Sequence, residues 1–295
     1  MLFAFLKKTQ CHLVNSTIKM IPSEHWIHDL SPFLWQFPPP YNDWGPGGIR
    51  WYGIAYLLGF IGAALLLRIA WKKGKSPYDP EQVMNLMTFQ ILGVLIGGRV
   101  GYALLYQGAK FIDDPLILFR VWEGGMASHG GFIGVCIATL WYAKQSKQSP
   151  LPIGDLIVSI VAPGLFFGRL ANFINGELWG KTTLLPWGVR FPNAPDFALG
   201  IARHPSQIYA ACLEGLLPFV YIQWRFWRSN ITQKYPGQLA GEFLVIYSIA
   251  RIVNEIFREP DAPLIYGMSR GQFYSIFLAI SGFVLIYIAQ KKTER

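Results

Sequence analysis

Hydrophobic positions run in long blocks along most of this chain, and polar positions gather in the breaks between them. The blocks fall near residues 51–71, 86–105, 129–143, 153–172, 208–227, 239–257 and 272–290. A helix needs about 17–25 residues to cross a bilayer, so the pattern predicts about seven transmembrane helices. The third block is short and is expected to be tilted or extended. Two stretches stand apart. Residues 1–47 include "LWQFPPPYNDWGPGG", whose prolines and glycines break any helix and whose tryptophans suit an interface; they read as an external arm. Residues 173–206, with their prolines and turn residues, read as a small external head insertion. The expected fold is an all-α integral membrane protein, its membrane domain over 48–295.

Composition supports this. The chain is 52% hydrophobic and only 15% charged, where soluble domains are about a quarter charged. Alternate breaks differ in basic residues. "WKKGKSPYDPEQVM", "AKQSKQSP", "RFWRSNITQKYPGQ" and "KKTER" hold 11 Lys and Arg in 41 positions, and 107–127, 173–206 and 258–271 hold 7 in 69. The denser set is expected to be cytoplasmic, with the N-terminus outside and the C-terminus inside. The net charge of +9 is spread over these loops and forms no basic stripe with interleaved aromatics, which argues against nucleic acid as a partner. No internal repeat is evident. The opening "LFAFLKKTQ" has its charges after its apolar run, the reverse of a secretion signal. The histidines are scattered and the three cysteines lack CxxC spacing, so no metal site is expected. Cys136 and Cys212 lie in apolar blocks and read as small buried hydrophobes.

Polar residues inside the blocks then stand out. "GRLANFINGELWG" brings Arg169, Asn172, Asn175 and Glu177 to the end of the fourth block, although an arginine within a span costs about 2.5–3.5 kcal/mol to insert. Arg99 and Tyr102 fall in the outer half of the second block, His129 opens the third, and Arg251 and Glu255 lie in the outer half of the sixth. Tyr247, Arg251 and Glu255 share a helix face by their spacing of four. Charges in spans turn inward, so these residues are expected to meet in one pocket at headgroup depth. Each also has a plainer reading: Arg251 with Glu255 as a stapling ion pair, Arg99 on a carboxylate or helix-end carbonyls, His129 in a structural hydrogen bond. The plainer readings leave three cations against one evident carboxylate, an excess that calls for an anion. At that depth the anion is a phosphate, which the arginine fork fits. Glycines crowd His129 in "WEGGMASHGGFIG" and Arg99 in "LGVLIGGRVGY", where small residues admit close helix packing or a bulky ligand.

At these residues the chain resembles the bacterial prolipoprotein diacylglyceryl transferases. "GRLANFINGELWG" is similar to that family's signature at every fixed position, and "RWYGIAYLLGF", "GGRVGY", "VWEGGMASHGG", "RHPSQIY" and "REPDAP" match its recurrent segments in order. The resemblance covers roughly 48–295. One departure is Ala210 after Tyr209, where relatives often carry a glutamate; no carboxylate is carried over there, and Glu214 is the next acid along. The resemblance implies an enzyme of the bacterial plasma (inner) membrane, with seven spans and a site facing outward. It would move diacylglyceryl from phosphatidylglycerol to the lipobox cysteine of a prolipoprotein signal peptide, leaving a thioether and glycerol phosphate and using no cofactor. The family's essential histidine falls on His129 and its essential arginines on Arg169 and Arg251.

The chemistry suits those residues. A thiol with a pKa of about 8.5 is mostly protonated at neutral pH, and a histidine can remove its proton. The departing phosphate gains negative charge, which fixed arginines stabilise more in the transition state than in the ground state. His129 is therefore the expected base, and Arg169 and Arg251 the phosphate clamp. Arg99, Tyr52, Tyr102, Asn172, Glu177, Tyr247 and Glu255 are the expected lipid-binding residues. Two other classes compete. "GMSRG" at 267–271 has the GxSxG form of a serine hydrolase but lies in a loop before the last block, where the motif needs a strand–turn–helix elbow. An anion channel or transporter would use the arginines as a selectivity ring, but they gather at one depth and do not line a path.

Overall fold

The computed structural model describes residues 25–38, 47–76, 78–120, 125–260 and 262–293. They are mostly helical, and helices lie over all the predicted apolar blocks. These are α1 (Trp51–Lys72), α2 (Pro80–Tyr106), α3 (Ser128–Gln145), α4 (Pro150–Ile174), α5, α6 (Gln238–Phe257) and α7 (Arg270–Thr293). α5 is composite: Ser206–Ala210, a π-helical stretch Ala211–Leu216, and Leu217–Arg228 follow without a break. Four of the helices, α1, α2, α4 and α7, are long and apolar enough to cross a membrane. Most of the arm predicted over 1–47 lies outside the described residues. Within it, β1 (Phe33–Gln36) pairs antiparallel with β2 (Gly48–Arg50), which follows the arm and leads straight into α1.

Local chemistry sets the helix starts. Asp79 and Gln82 form a reciprocal capping box at α2, with Pro80 in its first turn. At α6 the cap comes from another helix: the buried Asp155 of α4 accepts from the Gly237 and Ala240 amides at 2.7 and 2.8 Å. The "GMSRG" serine is likewise a cap, since Ser269 Oγ accepts from the Gln272 amide at 3.1 Å as α7 begins. A serine capping a helix after a tight turn is not a nucleophile on an elbow.

Packing follows the small residues. A Cβ at Gly93 would stand 2.6 Å from the Gly134 carbonyl oxygen, and one at Gly101 would stand 2.7 Å from the Gly130 Cα, so α2 and α3 touch backbone to backbone. Gly241 and Gly282 bring α6 and α7 together in the same way. Inside α4, Pro163 has no N–H for the Ser159 carbonyl. Gln223 of α5 supplies the missing donor, its Nε2 bonding that oxygen at 2.5 Å. The main core, built on Leu67, Leu86, Ile153, Leu156, Ile222 and Leu239, lies between α1, α2, α4, α5 and α6. A second, small core of Val189, Phe191 and Ala194 holds the 173–206 insertion, closed by Phe173 and Trp179. Cys136 and Cys212 are exposed, contrary to the expectation that they are buried. An apolar helix in lipid presents hydrophobes outward as well as inward, so an apolar block alone does not place its cysteine in the core.

Candidate active site

The site forms where α4 ends and α5 and α6 pass it. Its centre is Glu214, in the π-helical stretch of α5 and without exposed surface. Its Oε2 accepts from Arg169 Nη2 and Nε at 2.8 and 3.2 Å, and its Oε1 accepts from Arg251 Nη1 and Asn254 Nδ2, both at 3.0 Å. Three helices thus meet on one carboxylate. The α5–α4 approach that permits this needs Gly215, where a Cβ would lie 2.7 Å from the Phe166 Cα.

The ion pairs continue along α6. Arg251 Nη2 reaches Glu255 Oε1 at 2.5 Å, and Arg258 Nη1 reaches the same oxygen at 3.3 Å. Signs alternate from Arg169 through Glu214, Arg251 and Glu255 to Arg258, so the chain begins and ends on a cation and carries one net positive charge. The predicted set of three cations against one carboxylate is corrected to three against two, with Arg258 in the place expected of Arg99. Tyr247, buried on the same face of α6, interacts with Glu214 and Arg169.

A second group meets beside it. Glu177 Oε1 accepts from Tyr52 Oη at 2.7 Å and from Asn172 Nδ2 at 2.8 Å, and Asn172 also bonds the Tyr52 hydroxyl. Tyr52 opens α1, Asn172 is in the last turn of α4, and Glu177 follows in the loop. Gln207 Nε2 and Ser206 Oγ hold that loop through the carbonyls of Glu177 and Leu178 at 2.5 and 3.0 Å. Between the groups lies a small, partly open cavity lined by Arg169, Asn172, Leu178, Ser206, Gln207, Ala210, Arg251, Asn254 and Arg258.

Of the predicted residues, Arg169, Arg251, Glu255, Tyr247, Tyr52, Asn172 and Glu177 are brought together here. Arg99 is not. Its guanidinium, nearly buried, bonds the carbonyls of Ile117, Leu118, Arg120 and Gly125 at 2.5–3.2 Å. The physical reason is proximity: the segment after α2 folds back over Arg99 and offers it a nest of backbone carbonyls. Tyr102 packs under Gly125 and accepts from Gln107 Nε2 at 2.8 Å. His129 lies in the first turn of α3, and its side chain is outside the described residues. Its helix start is held by the Ala127 amide on the Gly98 carbonyl at 2.9 Å.

Sequence reasoning missed Glu214, Asn254, Gln207 and Arg258. For Glu214 a signal was present, because an acid inside an apolar block is itself a site candidate. Ala210 and Glu214 are four residues apart on one helix, so a carboxylate at either position serves the same face. Beyond the site, Arg203 ties the head insertion down. It bonds both Asp196 oxygens at 2.9 Å, the Gly180 carbonyl at 3.0 Å and Glu259 at 3.2 Å. The Arg203 hydrogen bond holds the Asp196 carboxyl below the usual carboxylate range, and burial, helped by Lys181, lowers the pKa of His204.

Comparison with known proteins is in keeping with this geometry. A family model described as prolipoprotein diacylglyceryl transferase matches residues 41–288. A phosphatidylglycerol–prolipoprotein diacylglyceryl transferase of Idiomarina loihiensis is 43% identical over 269 residues, which cover 88% of this chain and 96% of that one. Its namesakes in Oleidesulfovibrio alaskensis and Cereibacter sphaeroides are 41% and 42% identical, over 88% and 81% of this chain and 96% and 89% of theirs.

Proposed function

This chain belongs to the prolipoprotein diacylglyceryl transferase family and is a transferase of diacylglyceryl from phosphatidylglycerol to prolipoprotein, and we propose that the acceptor is the lipobox cysteine thiol and that the transfer takes place at the cavity between Arg169 and Arg251. The observation that carries this placement is that one buried carboxylate fixes both guanidiniums on the cavity wall. Glu214 binds Arg169 through Nε and Nη2, which leaves Nη1 uncommitted to it. The phosphodiester carries one negative charge and the departing glycerol phosphate moves toward two. A rigid pair of forks favours the second state over the first.

His129 is the proposed base. It takes the proton of the lipobox cysteine, whose sulfur attacks the glyceryl methylene carbon as the carbon–oxygen bond to phosphate breaks. The thioether stays on the peptide and glycerol phosphate leaves. Tyr52, Asn172 and Glu177 orient Arg169 and the lipid glycerol from the α1 side, while Tyr247 and Glu255 orient Arg251. Arg99 and Tyr102 act at one remove, by holding the segment that delivers His129. The proposed setting is the bacterial inner membrane, crossed seven times, with the 173–206 insertion, the arm before α1 and the cavity on the outer side. The basic loops after α1, α3 and α5 and the C-terminus lie inside.

The test uses the purified full chain with labelled phosphatidylglycerol and a lipobox peptide, read by mass spectrometry. A diacylglyceryl adduct on cysteine is expected. The adduct should be absent with Arg251→Lys, because a point charge does not replace the fork. Wild-type turnover by Arg251→Lys would reduce the arginine to a structural ion pair and remove the proposed site.

A further inference from the structure

Of the buried amide side chains whose oxygen has no partner among the described residues, Gln207 and Asn254 are the two that line the cavity. Gln207 and Asn254 are 2% and 1% exposed. Each amide's orientation is fixed by where its NH₂ goes: Gln207 Nε2 donates to the Glu177 carbonyl at 2.5 Å, and Asn254 Nδ2 donates to Glu214 at 3.0 Å. A flip would set an amide oxygen against an acceptor in both cases. The carbonyl ends, Gln207 Oε1 and Asn254 Oδ1, are therefore pinned as acceptors. Among the described residues neither has a hydrogen-bond partner, and both residues line the cavity with Arg169, Arg251 and Arg258.

Buried polar atoms without partners cost about 1–3 kcal/mol each, so the wall is built for a ligand that offers donors. A phosphodiester offers none. The donors must come from what the phosphate carries beyond it, and beside guanidiniums a neutral hydroxyl fits where an ammonium would be repelled. We propose that Gln207 and Asn254 read the hydroxyls of the lipid's polyol headgroup. They thereby hold the leaving glycerol phosphate and discriminate it from headgroups without hydroxyls. This rests on the placement of the reaction in this cavity.

The experiment compares two donors, phosphatidylglycerol and phosphatidylpropanol, which keeps three headgroup carbons and lacks both hydroxyls. The phosphate ester that leaves is chemically alike, so the ratio of the two kcat/KM values reports recognition and not reactivity. A site built to bond a hydroxyl rejects the analogue lacking it, and the wild-type ratio is expected to be at least roughly tenfold to a hundredfold. In Gln207→Met and Asn254→Leu the ratio should fall toward one, whatever happens to the absolute rate. A damaged fold would slow both donors equally and keep the ratio, which overturns the assignment for that residue, and so does a wild-type ratio of one. If Arg251→Lys instead works at full rate with phosphatidylglycerol, the placement of the reaction itself fails, and the proposal with it. The two failures are thus told apart by which protein shows them.

Discussion

Glu214 sets the geometry of the site through its four hydrogen bonds, and its substitution separates charge from shape. Glu214→Gln keeps the volume but leaves Arg169 beside a neutral amide without its carboxylate, and Arg251 with Glu255 alone, both largely buried. Breaking a buried pair from one side costs about 3–5 kcal/mol. We expect Glu214→Gln to lose at least hundredfold in transfer rate and to unfold earlier in detergent; an enzyme with normal turnover would show that the arginines need no fixing. The converse holds for Arg99. Its donors go to four carbonyls, so Arg99→Lys should lower thermal stability without changing the KM for lipid. Much of this was legible in the sequence, and the reason is chemical. Arg169, Asn172 and Glu177 declare themselves by interrupting an apolar block, and Tyr247, Arg251 and Glu255 by their helical spacing. What the sequence hides is pairing. Nothing in "YAACLEG" tells that α5 widens into a π-helix there and turns Glu214 between two arginines. Nor could spacing alone tell that Arg99 meets carbonyls of a loop about twenty residues further on.

At the scale of elements, the partnership of Pro163 and Gln223 makes α4 and α5 one unit. Pro163 leaves the Ser159 carbonyl without its helical donor, and Gln223 of α5 supplies one. The consequence is a coupling that can be measured. Gln223→Leu alone strands a carbonyl and should cost about 1–2 kcal/mol. In a Pro163→Ala background the helix makes its own bond, and the same substitution should cost less. A double-mutant cycle by chemical denaturation in micelles reads the difference; additive effects would show that the side-chain bond does not replace the missing one. About two turns further along the same interface, Gly215 lets α5 approach Phe166. Gly215→Val must push α5 away and carry Glu214 off Arg169, so activity should fall further than stability does. The blocks of glycine were visible as close-packing signals in the sequence, but their partners across α2 and α3, or α6 and α7, are a property of register and were not.

At the scale of the molecule, the head insertion is braced from within by the buried Arg203, which also reaches out to the end of α6, with consequences for how the site answers to pH. Arg203 reaches across to Asp196 within the insertion, to the Gly180 carbonyl beside the signature loop, and to Glu259 just after α6. The insertion therefore cannot lift without breaking the Arg203–Glu259 pair and the backbone bonds that run from the Lys181 amide to Phe257 and from the Glu259 amide to Trp179. Asp196 has its carboxyl pulled below the ordinary value of 3.8 by the Arg203 hydrogen bond. A carboxylate whose folded-state pKa is lowered contributes stability that is complete above its unfolded pKa and is lost as pH falls through the folded one. This internal brace should hold unchanged from neutral pH to about 5 and fail only in strong acid. Asp196→Asn removes the charge at every pH. Its deficit in thermal midpoint, measured in detergent, should be constant between pH 8 and 5 and close only as the wild type is taken below 3.8. A deficit that already closes near pH 6 would assign the brace to a histidine, His204 being adjacent to Arg203, and not to this carboxylate. Because Gly180 ends the loop that carries Glu177, the same variant should weaken lipid binding in step with its loss of stability. Were the two to separate, the insertion would be a lid with a motion of its own and not a buttress for the site.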